Sequence, residues 1–186
     1  MLFGGAMTIL YTPRLVLVPM TLPMVEAVMC GDRARAEAVA EARLPEAWPG
    51  AALVERAFTA SLEAIRKDPL KRLWGDRLCI AREPATTPEE RRVVGSVVFH
   101  GRPDEDGVAE IGYGVEESSQ GQGLATEATR VCVAWALEQP GVRAVRATTL
   151  PWHRASLRVI EKLGMHRVET REHELLGELY VFELSR

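Results

Sequence analysis

The stretch Glu116-Glu117-Ser118-Ser119-Gln120-Gly121-Gln122-Gly123-Leu124-Ala125-Thr126-Glu127-Ala128 decides how this chain is read. Before it, Val108 to Val115 has the composition of a strand and follows the turn-rich Pro103-Asp104-Glu105-Asp106-Gly107. After it, Leu124, Ala128, Val131, Cys132 and Trp135 recur at helical spacing, Glu127, Arg130 and Glu138 occupy the other face, and Pro140-Gly141 ends the run. Two glycines at such a strand-to-helix junction let the backbone turn sharply. The first N–H groups of the helix have no intrahelical partner and point together at whatever lies in front of them. Adding a macrodipole of about half a positive charge makes the junction a pocket for an anion of phosphate size. A glycine-rich turn that only feeds a helix uses the same residue types, so the ligand must be read from the neighbouring residues.

Two phosphate ligands are disfavoured by those neighbours. A mononucleotide loop needs Gly-Lys followed by Ser or Thr, and Gly123 is followed by Leu124. A dinucleotide fingerprint takes Gly121 and Gly123 as its first two glycines but needs Gly or Ala where Thr126 stands. It also wants an acid at the end of the next strand, which reads Ala147-Thr148-Thr149-Leu150.

Outward from the junction, the pattern predicts an α+β protein. Leu15 to Val18 opens as a strand that Pro19 closes, and Leu22 to Ala42 gives two short helices broken near Gly31-Asp32. Pro45, Pro49 and Gly50 form a loop carrying Trp48, and Ala51 to Lys67 is an amphipathic helix. Leu78–Ala81, Val93–Phe99 and Val108–Val115 read as an antiparallel meander. Beyond the long helix come a strand at Val145–Leu150, a helix at Ala155–Leu163 ended by Gly164, and two closing strands around Leu176-Gly177. The string contains one parallel crossover.

The 186 residues fit one domain, 1–186, with residues 1–8 outside the fold and Met7 an alternative start. The 23 Lys and Arg against 26 Asp and Glu give a net charge of -3, which supplies no general positive field and argues against nucleic acid as a partner. No apolar run approaches the ~18–20 residues of a membrane span, and Met1 to Leu10 lacks a signal-peptide pattern, so a cytoplasmic location is expected. Cys30, Cys79 and Cys132 are scattered through apolar stretches and read as reduced core thiols. His100, His166 and His173 lack ligand spacing, and no metal is expected.

The residues now carry a resemblance. Gln120-x-x-Gly123-x-Ala125 resembles the Arg/Gln-x-x-Gly-x-Gly/Ala acetyl-CoA loop of the GNAT superfamily of N-acetyltransferases. The longer run through Ala128, preceded by Glu110-Ile111-Gly112-Tyr113, is similar to ribosomal-protein N-terminal acetyltransferases of the RimJ/RimL type. Ala155-Ser156-Leu157-Arg158-Val159-Ile160-Glu161-Lys162-Leu163-Gly164-Met165 is similar to a second motif of that subgroup, and Thr12-Pro13-Arg14-Leu15 to its start.

The resemblance implies a mixed, mostly antiparallel sheet of about seven strands with a V-shaped splay and flanking helices. It implies acetyl-CoA as co-substrate, with Gln120, Gly121, Gln122, Gly123, Leu124, Ala125 and Thr126 on its phosphates and the backbone around Gly114 and Val115 on its pantetheine arm. It places Glu110 as candidate general base and Ser156 as a cofactor contact and candidate proton donor to the leaving thiolate. Structural roles for the same pair are a solvent-facing strand acid and a helix N-cap. Where the subgroup has Asn-x-x-Ser, this chain has His153-Arg154-Ala155-Ser156 and contains no Asn, so His153 either keeps the cofactor contact by donating one hydrogen bond, the expected case, or adds acid–base character. Trp48 is either a wall of the acceptor pocket, together with Glu110, or a core aromatic. The acceptor is an amine: a protein N-terminus or a small molecule. A non-catalytic acyl-CoA-binding module and a nucleotide-binding domain stay open, as does a homodimer.

Overall fold

Among the described strands every neighbouring pair is antiparallel except one, and the exception lies beside the glycine turn. The computed structural model describes residues 8–46, 62–82 and 90–186. In chain order the elements are β1 (Leu10–Tyr11), β2 (Leu15–Pro19), α1 (Leu22–Met29), α2 (Arg33–Ala40), α3 (Leu62–Lys67), α4 (Pro69–Arg72), β3 (Arg77–Ala81), β4 (Val93–Phe99), β5 (Val108–Val115), α5 (Leu124–Glu138), β6 (Ala144–Thr149), α6 (Arg154–Leu163), β7 (His166–His173) and β8 (Gly177–Ser185). The strands form one eight-stranded sheet in the order β1-β2-β3-β4-β5-β6-β8-β7, in which only β5 and β6 run parallel. The described sheet therefore has eight strands rather than about seven, because Leu10 and Tyr11 pair with Leu17 and Val16 ahead of the first expected strand. Trp48 and most of the helix expected over 51–67 lie outside the described residues; its last turn is α3.

Burial follows the alternation of side chains across the strands. Leu15, Leu17, Cys79, Val97, Phe99, Ala109 and Ile111 face α5, where Leu124, Ala128, Cys132 and Trp135 are buried, so the face expected from the helical spacing is the packed one. Val131 lies at its margin, and Thr129 and Val133 are inside instead. Each fully buried large apolar side chain contributes about 1.5–3 kcal/mol. The other face of β3, carrying Leu78 and Ile80, packs against Met24, Val25 and Ala27 of α1 and Ala36 and Ala40 of α2. Cys79 and Cys132 are core thiols as expected. Cys30 is exposed, because it follows the last residue of α1 as the C-cap instead of sitting on the buried face.

The parallel pairing is short. Val108, Ala109 and Glu110 pair with Ala144, Val145 and Arg146, and there it stops. Beyond it β5 stays with β4 as far as Val115, whereas β6 stays with β8 to Thr149. The sheet thus forks after Glu110. The Glu110 carbonyl accepts from the His100 N–H, and the Glu116 N–H donates to the Val94 carbonyl, both on the β4 side. Strand alternation then turns the polar backbone groups of Gly112 and Gly114 toward β4 and those of Ile111, Tyr113 and Val115 into the fork.

Glycine at position 95, across from the end of β5, permits this geometry. A Cβ on Gly95 would collide with the Gly114 carbonyl oxygen and stand 2.9 Å from the Val115 Cα, whereas a Cβ on Gly114 would meet nothing within 4 Å. Gly95→Ala is therefore expected to lower unfolding free energy by about 1–3 kcal/mol. Gly114→Ala should leave it within about 0.5 kcal/mol. Urea denaturation of the two variants checks the contrast.

Candidate active site

The loop between β5 and α5 spends its side chains on itself. The Ser118 and Ser119 hydroxyls donate to Glu116 Oε1 at 2.6 and 2.8 Å, Gln122 Nε2 donates to the Ser118 carbonyl at 3.3 Å, and Gln120 Nε2 donates to the Val115 carbonyl at 3.2 Å. Gln120, expected on a phosphate, has its amide nitrogen engaged in tying the loop to the end of β5. Gly121 and Gly123 hold φ of 74° and 80°, which favour glycine, and Gly123 stands at the N-cap of α5 without a side-chain cap. Among the described residues the N–H groups of Gly121 through Thr126 have no acceptor, and the first helical bond runs from the Glu127 N–H to the Gly123 carbonyl. A Cβ at Gly121 would meet nothing within 4 Å. Open space before a row of free amides fits a diphosphate.

Glu127, in the first turn of α5, is held by the turn between β1 and β2. Its Oε1 accepts from the Thr12 hydroxyl at 2.6 Å and the Arg14 N–H at 3.0 Å, and its Oε2 accepts from Arg14 Nε at 2.7 Å. Burial alone would push this carboxyl up, but those donors and the guanidinium charge together hold it below its ordinary value.

The N-terminus of α6 closes the other arm of the fork. The cap is His153, not Ser156: His153 Nδ1 accepts from the Ser156 N–H at 3.1 Å. An accepting Nδ1 is unprotonated, which puts the proton of the neutral ring on Nε2 and leaves that N–H as the free donor. Thus the imidazole serves as the cap of α6, while His153 itself is exposed and its ring stacks on that of Trp152, centroids 6.1 Å apart. Relieved of capping, the Ser156 hydroxyl lies 3.0 Å from the Tyr113 hydroxyl, which also donates to the Ser156 carbonyl at 3.1 Å. Burial pushes the Tyr113 phenol above its ordinary value, against a smaller lowering from the Ser156 bond, so it stays protonated at neutral pH.

At the apex of the fork Glu110 is half-buried and accepts from the Thr148 hydroxyl at 2.9 Å. Its register partner Arg146 is engaged by Glu183 at 2.9 Å. Glu110 lies on the face of the sheet opposite α5 and α6, and Tyr113 and Ser156 lie on the side of those two helices. The structure therefore brings Glu110, Val115, the 120–126 loop, His153 and Ser156 around the fork, the slot between the diverging strands. Tyr113 was missed in the sequence because an aromatic on a strand reads as core, and only the odd numbering it shares with Val115 marks it as facing the slot. Among the described residues no group of three His, Cys, Asp or Glu side chains could hold a metal ion, and no helix is long and apolar enough to cross a membrane.

The chain belongs to the acetyltransferase (GNAT) domain family, which it matches over residues 14–166. It is 35% identical over 72 residues to the uncharacterized N-acetyltransferase YjdG of Bacillus subtilis (strain 168), covering 39% of this chain and 43% of that protein. The match thus spans less than half of the curated relative. The fold is similar to that of a GNAT-family acetyltransferase from Bacillus anthracis, with a TM-score of 0.63, 19% identity and coverage of 96% of this chain and 98% of that one. It is also similar to RimL, a ribosomal L7/L12 alpha-N-protein acetyltransferase solved in complex with coenzyme A, with a TM-score of 0.62, 13% identity and coverage of 96% and 98%.

The Glu127 grip has a pH signature. A carboxyl depressed in the folded state adds stability that is full above its unfolded value near 4.5 and is lost as pH falls through its folded value. Glu127→Gln should cost about 1 kcal/mol at pH 7, given that Arg14 is half-exposed, and the gap to wild type should close as pH drops below 4. Denaturant unfolding of both proteins from pH 7 to pH 3 measures it.

Proposed function

We propose that this chain is an acetyl-CoA-dependent N-acetyltransferase. The observation that carries the reading is the fork after Glu110: free backbone groups on β5, a row of free amides at the start of α5, and a carboxylate at the apex. Acetyl-CoA, when bound, supplies an acyl group activated as a thioester. The N–H groups of residues 121–126 would hold its diphosphate, and the polar groups of Tyr113 with the Val115 N–H would hold the pantetheine arm as an added strand is held in a sheet. Gly114 would contribute space rather than a hydrogen bond. A Val115 N–H aimed into the slot is preorganised to stabilise negative charge on an acyl oxygen, the largest catalytic effect open to this chain.

The amine enters from the face bearing Glu110 and the donor from the face covered by α5 and α6, so the two meet only at the fork. Glu110 accepts the proton that the ammonium must lose, directly or through one water, with Thr148 holding the carboxylate in place. Ser156, bonded to the Tyr113 phenol, is the candidate donor to the departing sulfur. His153 fixes the start of α6 and keeps its Nε2–H toward solvent or cofactor.

For the acceptor, an α-amine with a pKa near ~8 needs less help from a base than a lysine amine near ~10.4. A single carboxylate held by one hydroxyl therefore suits a protein or peptide N-terminus, in keeping with a RimJ/RimL-type subgroup, with small-molecule amines as the second class. The test is release of free CoA from acetyl-CoA with free-N-terminus peptides and small amines as acceptors. Turnover with at least one amine is expected; CoA binding without turnover above background would make the chain a binding module. Glu110→Gln should lower kcat at least about tenfold, remove the acidic limb of the pH–rate profile and keep CoA affinity within about twofold. An unchanged profile would exclude Glu110 as the base.

A further inference from the structure

Arg14 lies in the turn between β1 and β2, 113 positions from Glu127, yet its side chain reaches the glycine loop. Nη1 donates to the Gln122 carbonyl at 2.9 Å, while Nε and Nη2 contact Glu127 Oε2 at 2.7 and 2.6 Å. Glu127 is mostly covered, its side chain 17% exposed, whereas that of Arg14 is 49% exposed and forms the outer member of the pair. The turn is anchored in its own right: the Leu15 N–H donates to the Thr12 hydroxyl at 2.9 Å, and Arg82 Nη1 donates to the Thr12 carbonyl at 3.0 Å.

We propose that Arg14 is a positioning residue for the donor, one that aims the Gly123 N–H into the phosphate site; the inference rests on the acetyl-CoA reading above. The peptide joining Gln122 to Gly123 is planar and trans, so its C=O and N–H point in opposite directions. A guanidinium that holds the Gln122 oxygen on one side fixes the Gly123 N–H on the other. The constraint matters because both loop glycines have wide conformational freedom, and an unbraced peptide could flip its amide away from the ligand. Nη2 would stand 3.7 Å from a Gly123 Cβ, so Arg14 lies directly against the peptide it orients. Glu127 is the fixed post of the brace, since its own N–H makes the first helical bond to the Gly123 carbonyl at 3.0 Å. The planar fork of arginine spans a carboxylate and a carbonyl together; a lysine ammonium keeps the charge but not that span.

The experiment compares wild type, Arg14→Lys and Arg14→Ala by calorimetric binding of CoA to the free protein, and by kcat/KM with acetyl-CoA and with acetyl-pantetheine, which has no phosphate. Both variants should bind CoA about tenfold more weakly, the loss of roughly one hydrogen bond to a charged group. Their loss in kcat/KM should be about tenfold larger for acetyl-CoA than for acetyl-pantetheine. Arg14→Lys, which keeps a cation against Glu127, guards against loss of the fold in Arg14→Ala. Wild-type CoA affinity in Arg14→Lys would make Arg14 a charge contact and overturn the positioning role. Equal losses for both donors would make it a general structural residue and also overturn it. Wild-type protein that binds no CoA would overturn the acetyltransferase reading itself, and the brace with it.

Discussion

The short parallel pairing of β5 with β6 is the constraint on which the rest depends. Three register pairs hold the strands together up to Glu110 and Arg146, and each strand then follows its antiparallel partner away from the other. A strand that loses one neighbour inside a sheet leaves a row of N–H and C=O groups without partners, which is costly unless water or a ligand satisfies them. The fold meets this by opening the row onto a slot and placing two helix starts, those of α5 and α6, beside it. Packing of α5 through Ala128, Cys132 and Trp135 keeps the fork in shape, and the Tyr113–Ser156 bond spans it on the side of α5 and α6.

Around that slot the chain uses side chains mainly to aim backbone. Gln120 and Gln122 spend hydrogen bonds on the loop's own carbonyls, His153 caps α6, and Arg14 with Glu127 ties the loop to the β1–β2 turn. On the proposed reading the chemistry left to side chains is small: a carboxylate on one face, a hydroxyl pair on the other. This suits direct transfer between two bound partners, where positioning and preorganised donors supply most of the effect.

Much of this was legible in the sequence, because the relevant signals are local. The glycine turn, the period change at Leu124 and the stop at Pro140-Gly141 bound α5 correctly, and the meander and the single parallel crossover follow from turn residues and length. What was not legible depends on in-plane backbone direction or on long-range contact. Gly114 looked like a hydrogen-bonding position, yet its parity with Glu110 and Glu116 turns its polar groups to β4. Ser156 read as a cofactor contact and candidate proton donor, with a helix cap as its structural alternative because serines open helices; an imidazole three positions earlier takes the cap. Cys30 looked apolar by its neighbours, but a helix end is exposed where its interior is not. The Arg14–Glu127 contact has no local signal at all, although Thr12 to Leu15 stood out as a motif.

Differential thermal stability tests most directly whether the fork and the start of α5 form a coenzyme A site, as proposed. Purified protein would be melted with acetyl-CoA, CoA, NAD or ATP. A ligand at ~100 times its dissociation constant adds about 2.7 kcal/mol. A coenzyme A site requires that acetyl-CoA and CoA raise the melting temperature while NAD and ATP leave it unchanged. Stabilisation by NAD or ATP equal to that by CoA, or by none of the four, would contradict it.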